Sequence, residues 1–245
     1  LKLRFIIAII FCSLFLYNNS YSQLFPRFSI AGGPTVGWFR NNTDDLNAEM
    51  RKIGLPEFPK DGFITLGGGG FIDLPIKSLP WLRLGGMGTG FSVKRSVTDA
   101  NNQTRSVNYD YGMGGMSFEY VHSFSRRFEM SGGVMLGTGK LTLDMYQSNT
   151  GFGNWNTIFG ELGGGNSTSN FSHKLSVRFY SAQPQVGLGF FVTNFLYAKL
   201  NAGYQFSSNG DWKVDDDITV SNAPAGIKAE GFNVNFGLNV GLFTK

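Results

Sequence analysis

The residues with the most chemical capacity in this chain of 245 are few and scattered. Histidine occurs twice, at His122 and His173. Ser172, Ser176 and Glu161 stand near His173 and Ser123 follows His122, so a nucleophile, a base and an acid are nominally present for acyl transfer or hydrolysis. The same residue types are ordinary at loop edges, and their spacing selects no catalytic set. Two glycine runs, residues 67–70 and 85–90, invite comparison with phosphate-cradling loops. Such a loop must open a helix whose first amides meet the phosphate, and neither run leads into a helical pattern, so both read as small residues that ease the curvature of strands. Asp44, Asp45 and Asp215 to Asp217 offer hard oxygens to a divalent cation. They lack the alternation and central glycine of a calcium loop and read as solvated acids. No catalytic residue, cofactor or metal is expected.

A second set of charges is more informative. Asp73, Arg83, Glu119, Glu129 and Lys199 each sit inside an alternating apolar segment, in the phase opposite to its large apolar side chains, and within a few residues of a short turn. Three acids and two bases on the inner face of a closed sheet need one another, because an unpaired buried charge is costly. The expectation is a lumen charge network in which Arg83 pairs with Glu119, Glu129 or both; the plainer alternative is a solvated rim.

What positions these residues is a series of strands. In residues 231–242, G-F-N-V-N-F-G-L-N-V-G-L, Phe232, Val234, Phe236, Leu238, Val240 and Leu242 alternate strictly with Gly and Asn. One face is greasy and the other small and polar, the period of a strand. Similar segments are read at residues 28–39, 62–74, 81–97, 105–122, 127–146, 173–192 and 195–208. Each is about the length of a bilayer-crossing strand, and almost no amphipathic helix is available to cover them, so lipid is the expected cover and the six apolar residues of the last strand are expected to face it. The phase of the apolar residues reverses at residues 112–115 and again near 137–139, which predicts glycine-bearing bulges there. Pro184 is expected to interrupt the sixth strand. The connections read as long, short, long, short, long, short, long, with a short helix after Thr43 inside the first. Loop aromatics Trp155, Phe159 and Trp212 suit either adhesive anchors or interface residues.

The N-terminus sets the compartment. Lys2 and Arg4 precede an apolar run from Phe5 to Leu16, and Ser20 and Ser22 occupy the −3 and −1 positions of a cleavage site, so residues 1–22 read as a cleaved signal peptide and residues 23–245 as one domain. Bulky Phe11 before Cys12 speaks against lipoprotein processing, and no cysteine follows. The formal charge of +4 falls to about +2 after cleavage, with no basic run to suggest nucleic acid. Glycine is abundant at 34 residues, aromatics reach 15%, and mean hydropathy is −0.08. Strand alternation hides hydrophobicity in that average.

With the meander in place, the chain resembles the small eight-stranded outer-membrane proteins of the OmpA/OmpX type and the broader outer-membrane β-barrel domain family. The resemblance covers nearly all of the mature chain and is carried by R-F-S-I-A-G-G-P-T-V-G-W-F at the first strand, Q-V-G-L-G-F-F-V near residue 190 and the alternating last strand. Phe243 lies off the outward phase and Thr244-Lys245 follow it, a departure from the family's usual terminal aromatic. The resemblance implies an all-β fold, an eight-stranded antiparallel up-and-down transmembrane β-barrel with short periplasmic turns and long extracellular loops, in the outer membrane of a Gram-negative bacterium. It implies outer-membrane lipid and lipopolysaccharide as surroundings, the barrel-assembly machinery as a partner in biogenesis, and a monomer. Some lipid A deacylases of this fold are similar in size and use a His with a Ser two residues on; neither histidine here matches. The expected function is therefore structural or loop-mediated binding, with an extracellular ligand at the long loops and no enzymatic activity. The alternatives are a narrow solute channel and an outer-membrane lipid-modifying enzyme.

Overall fold

The computed structural model describes residues 28–76, 78–101, 103–149 and 171–243. The expected signal peptide, Glu161, Trp155 and Phe159 lie outside the described residues. Strands β1 (Ser29–Asn41), β2 (Phe63–Asp73), β3 (Leu82–Thr98), β4 (Gln103–Ser123), β5 (Phe128–Asn149), β6 (Phe171–Phe191), β7 (Leu196–Asn209) and β10 (Gly231–Phe243) pair antiparallel in chain order, and β10 returns to β1. The result is a closed eight-stranded antiparallel β-barrel. Residue pairing from Phe39 leads through Asn233, Gly203, Gln185, Gly133, Glu119, Arg83 and Asp73 back to β1 at Ser29, ten residues lower. That stagger around eight strands tilts them by about 40° from the axis.

The barrel is lopsided because β3 to β6 run 17 to 22 residues whereas β1, β2, β7 and β10 run 11 to 14. The third connection read as long is in fact a tight one, residues 99–102, at the tip of a long β3–β4 hairpin. At the same end, residues 42–62 carry helix α1 (Asp44–Lys52), with Asp44 and Asp45 in its first turn, Arg51 and Lys52 in its last, and Gly54 past its end at φ +68°. Residues 210–230 carry a small hairpin, β8 (Lys213–Val214) and β9 (Ile218–Thr219), which pairs with the part of β6 that outruns β7. Residues 74–81, 124–127 and 192–195 form short connections at the opposite end.

The expected bulges are absent. Pairing of β4 with β3 and with β5 keeps one register throughout, across residues 112–115 and 137–139. Met116 and Phe118 point outward, and Tyr109, Tyr111 and Met113 point into the barrel in the same uninterrupted alternation. The apolar residues change sides; the backbone does not. β6 likewise runs straight through Pro184, where the missing N–H removes pairing with β7 between Ala182–Phe206 and Gln185–Gly203 and leaves the pairing with β5 intact.

Two sections of wall follow. In the section nearer the short turns the exterior is apolar, with Leu136, Leu188, Leu200, Phe236 and Leu242 exposed, and the interior holds the buried charges above a small aromatic cluster. In the section nearer the long loops the exterior carries Ser92, Lys94, Asp110, Lys140, Asp144 and Arg178, while Phe91, Tyr109, Leu141, Val177 and Phe179 fill the interior.

Candidate functional site

Inside the lower section, Arg83 is fully buried. Its Nε donates to Asp73 Oδ1 at 2.7 Å and one terminal nitrogen to Asp73 Oδ2 at 3.0 Å, a two-pronged pair. The other terminal nitrogen donates to Glu129 Oε1 at 2.6 Å and to the Tyr197 hydroxyl at 3.1 Å. Tyr197 in turn donates to Glu129. The guanidinium carbon lies 3.9 Å above the Phe71 ring, so cation–π attraction supplies the face that no carboxylate covers. Arg83 and Asp73 are direct cross-strand partners, which makes the fork geometry local.

Glu119 is the other cross-strand partner of Arg83, yet its carboxylate takes Lys199 Nζ and the Gln185 side-chain amide, the latter at 2.9 Å. Of the two expected partners, Arg83 therefore takes Glu129 and not Glu119, and the charges form two adjacent groups, Asp73–Arg83–Glu129 and Glu119–Lys199. Gln183 extends the second group at 3.1 Å to Gln185 and exchanges hydrogen bonds with Asn233. Gly189 makes the cluster possible, since a Cβ there would collide with the Tyr197 hydroxyl. Tyr197, Gln183 and Gln185 escaped the sequence reading. The available signal was the inward phase of Lys199, which Tyr197 shares two residues earlier.

The lumen is filled on both sides of this cluster. Toward the short turns, Phe71, Phe191, Tyr197 and Phe243 pack ring against ring at 4.9–6.4 Å. Toward the long loops, Ser117, Asn201, Asn235 and Asn239 line a void of about 50 Å³, room for a water or two and no more. Beyond it Phe39 stacks on Tyr111 at 4.9 Å and Tyr111 on Phe179 at 5.9 Å. The hydroxyls stay satisfied, Tyr109 accepting from Asn41 at 2.8 Å and Tyr111 donating to Gln205 at 3.0 Å.

The long connections close the mouth over that aromatic core. Leu46 and Met50 of α1, with Leu55 and Phe58, are buried against it, and Asn47 clamps the Phe58 backbone with bonds of 3.0 and 2.7 Å. Arg95 and Arg105 of the tall wall donate to the carbonyls of Glu57 and Ile53, both at 3.0 Å. Asp45 accepts the Gly226 amide at 3.0 Å, joining the first long connection to the last. Trp212 is buried in the same core, which overturns its reading as an adhesive or interface aromatic.

The remaining candidates are placed apart. His122 is exposed at the short-turn end of β4, and His173 lies at the far end of β6. His173 Nδ1 is 3.1 Å from Asp215, whereas Ser176 donates to Asp216 at 2.8 Å. Two of the loop acids are paired with lysines: Lys140 lies 2.6 Å from Asp216, and Lys60 3.0 Å from Asp44. Hydrogen bonds from Lys140 and then Ser176 pull the Asp216 carboxyl down to about 2, and the Lys174 amide with His173 holds Asp215 below its usual range. Among the described residues no His, Cys, Asp or Glu cluster could hold a metal, and no helix is long and apolar enough to cross a membrane.

No family model matches this sequence, and no curated protein does. Several solved structures are similar. One is Ail, the attachment invasion locus protein of Yersinia pestis, in complex with the heparin analogue sucrose octasulfate: 14% identity, covering 87% of this chain and 97% of that one, TM-score 0.31. Another is outer membrane protein H (OprH) from P. aeruginosa: 15% identity, covering 87% and 99%, TM-score 0.38. A third is the outer membrane protease OmpT from Escherichia coli: 10% identity, covering 92% and 99%, TM-score 0.35. At these identities and scores the likeness assigns no activity.

Proposed function

We propose that this chain is a small outer-membrane barrel of the OmpA/OmpX type, exported through a cleaved signal peptide, whose lumen is closed and whose work is done at its outer surface: envelope structure or binding by the packed loop cap. The exterior supports the membrane placement. On β10 the outward series from Phe232 to Leu242 spans ten residue steps, which at the tilt above give about 25 Å of apolar height, the thickness of a barrel's lipid-facing band. Aromatics mark both margins, Trp81, Phe124 and Phe195 at one and Tyr204, Phe206 and Tyr180 at the other. Phe232, Val234, Phe236, Leu238, Val240 and Leu242 are on this reading lipid-facing, with outer-membrane lipid and lipopolysaccharide around them.

The observation that carries the functional reading is the filling of the lumen: fully buried Arg83 in its carboxylate cage, aromatic packing at one end and an aromatic core under α1 at the other. A pore needs a continuous polar path, and this interior supports none. The separation of Ser176 from His173 by their different partners supports a non-enzymatic role. Conductance of the refolded protein in planar bilayers tests the closure. Wild type is expected to show no steady single-channel steps, and reproducible ion-selective steps would establish the channel alternative instead. A change in lipid A mass on expression would establish the lipid-modifying alternative.

A further inference from the structure

Among the described residues two dipeptides, Asn209–Gly210 and Asp61–Gly62, set a side-chain carbonyl carbon within reach of the next backbone nitrogen. Glycine in second place removes the side chain that would hinder closure of a five-membered ring. By intrinsic chemistry Asn209 is the more reactive, because an amide loses ammonia where an ionised carboxylate has no ready leaving group. The fold reverses that order. Asn209 ends β7, where its Nδ2 donates to the Ile227 carbonyl at 3.0 Å and its Oδ1 accepts from Ser207 at 3.4 Å. The Gly210 nitrogen, which would attack, donates to the Arg178 carbonyl at 2.9 Å. Both reacting groups are committed, and their hydrogen bonds must open before they can meet.

Asp61 is exposed, and among the described residues its carboxylate has no hydrogen bond or ion pair and the Gly62 nitrogen no acceptor. Gly62 sits at φ +110°, a conformation that residues with a side chain rarely adopt. A Cβ there would also meet Trp38 Nε1 at 2.7 Å and the Phe39 carbonyl at 2.8 Å. The fold thus demands glycine at the position that leaves Asp61 open to ring closure. On either side the chain is anchored, with Phe58 buried against Tyr109 at 5.5 Å and Phe63 stacked on Phe91 at 4.2 Å. Between these anchors Asp61 and Gly62 carry the chain from the loop cap into β2.

We infer that Asp61 is a site of spontaneous isoaspartate formation, and that the change loosens the cap where it enters β2. The Gly62 nitrogen attacks Cγ of the protonated Asp61 carboxyl; a C–N bond forms, and the carboxyl hydroxyl leaves with the amide proton as water. The succinimide then takes up one water at the Asp61 main-chain carbonyl carbon. The bond from that carbon to the Gly62 nitrogen breaks, and the main chain afterwards runs through Cβ and Cγ. Water lost is water regained, so the mass is unchanged and no oxidant or co-reactant is needed. The product carries an extra backbone carbon between Phe58 and Phe63 and a free α-carboxylate beside them. A segment fixed at both ends takes up that length by shifting an anchor. Phe63 is fixed by its pairing with Phe39 on β1, which leaves the seat of Phe58, held by Asn47 at 3.0 and 2.7 Å, to give.

The test is to age the refolded barrel in detergent micelles at mildly acidic pH, then to label isoaspartate with an isoaspartyl methyltransferase and S-adenosylmethionine. Peptide mapping assigns the label, with synthetic peptides of residues 58–66 and 206–213 aged alongside as unfolded references. Asp61 in the barrel is expected to isomerise at nearly the rate of its peptide. Asn209 is expected to be slowed about tenfold or more relative to its own, since its hydrogen bonds must open first. Asp61→Glu, whose longer side chain disfavours the ring, is expected to abolish the label at this position in a barrel that still migrates as folded. Amide exchange at Phe58 is expected to quicken in the isomerised fraction. Slowing of Asp61 as great as that of Asn209, or label persisting at position 61 in Asp61→Glu, overturns the site; unchanged exchange at Phe58 overturns the loosening of the cap.

Discussion

Arg83 is the residue on which the interior turns, because it satisfies Asp73, Glu129 and Tyr197 at once and has no access to water. Removing one partner of such a group leaves the others buried and unpaired, so Arg83→Ala is expected to cost about 3–5 kcal/mol, read as a lowered urea midpoint of the folded, heat-modifiable barrel. Pairing Arg83→Ala with Asp73→Asn and Glu129→Gln should recover part of that loss. An Arg83→Ala variant as stable as wild type, with no coupling in the double-mutant cycle, would mean that the charges act independently. The sequence reading named all five charged residues and paired Arg83 with Glu119, Glu129 or both on strand adjacency; Glu129 is a partner and Glu119 is not. Adjacency could not decide the matter, since Asp73 and Glu119 flank Arg83 equally; Lys199 decides it, arriving from across the lumen to take Glu119. A one-dimensional pattern carries neighbours along the sheet and not contacts across the barrel.

At the scale of elements, strand type, order and closure were legible because alternation and turn residues are local properties, and so was α1, with its acidic first turn, basic last turn and terminal glycine. The bulges were misread for an instructive reason. Apolar residues were assumed to mark one face throughout, whereas Phe118 faces outward and Tyr111 inward on one regular strand. A strand passing from one surrounding medium to another reverses its apolar face without any change of backbone. The β8–β9 hairpin was illegible because its strands are two residues each and depend on the overhang of β6. Two predictions belong here. Phe236→Lys, in the middle of the outward series of β10, is expected to cost about 2–4 kcal/mol, while Asn235→Ser costs much less; equal losses of folded barrel would invert the assigned faces. The hairpin is clasped by Asp216 to Lys140 and Ser176 and by Asp215 to Lys174 and His173. Both carboxyls are held below the ordinary value of 3.8, so their contribution to docking is complete above that value and is lost as pH falls below it, for Asp216 toward about 2. Amide exchange at Val214 and Lys213 should accelerate over that interval, and rates that follow only intrinsic chemistry would show that the acids do not hold the hairpin.

At the scale of the whole molecule, the two sections of wall are mirror solutions to one constraint. Below, apolar side chains face out and charges face in; above, aromatics face in beneath a cap of loops and charges face out. On the membrane placement proposed above, they make a plug with a membrane-facing waist and a water-facing head, with the boundary between media at one level of the barrel. Nitroxide labels at outward positions of β5 test this most directly, by comparing collision with oxygen and with a water-soluble nickel chelate in lipid vesicles. Labels at Met130, Val134 and Leu136 are expected to meet oxygen, and labels at Lys140 and Asp144 to meet the chelate, with the crossover between Leu136 and Lys140. Chelate access at Met130 and Val134 equal to that at Asp144, or oxygen-dominated collision along the whole strand, would contradict the account.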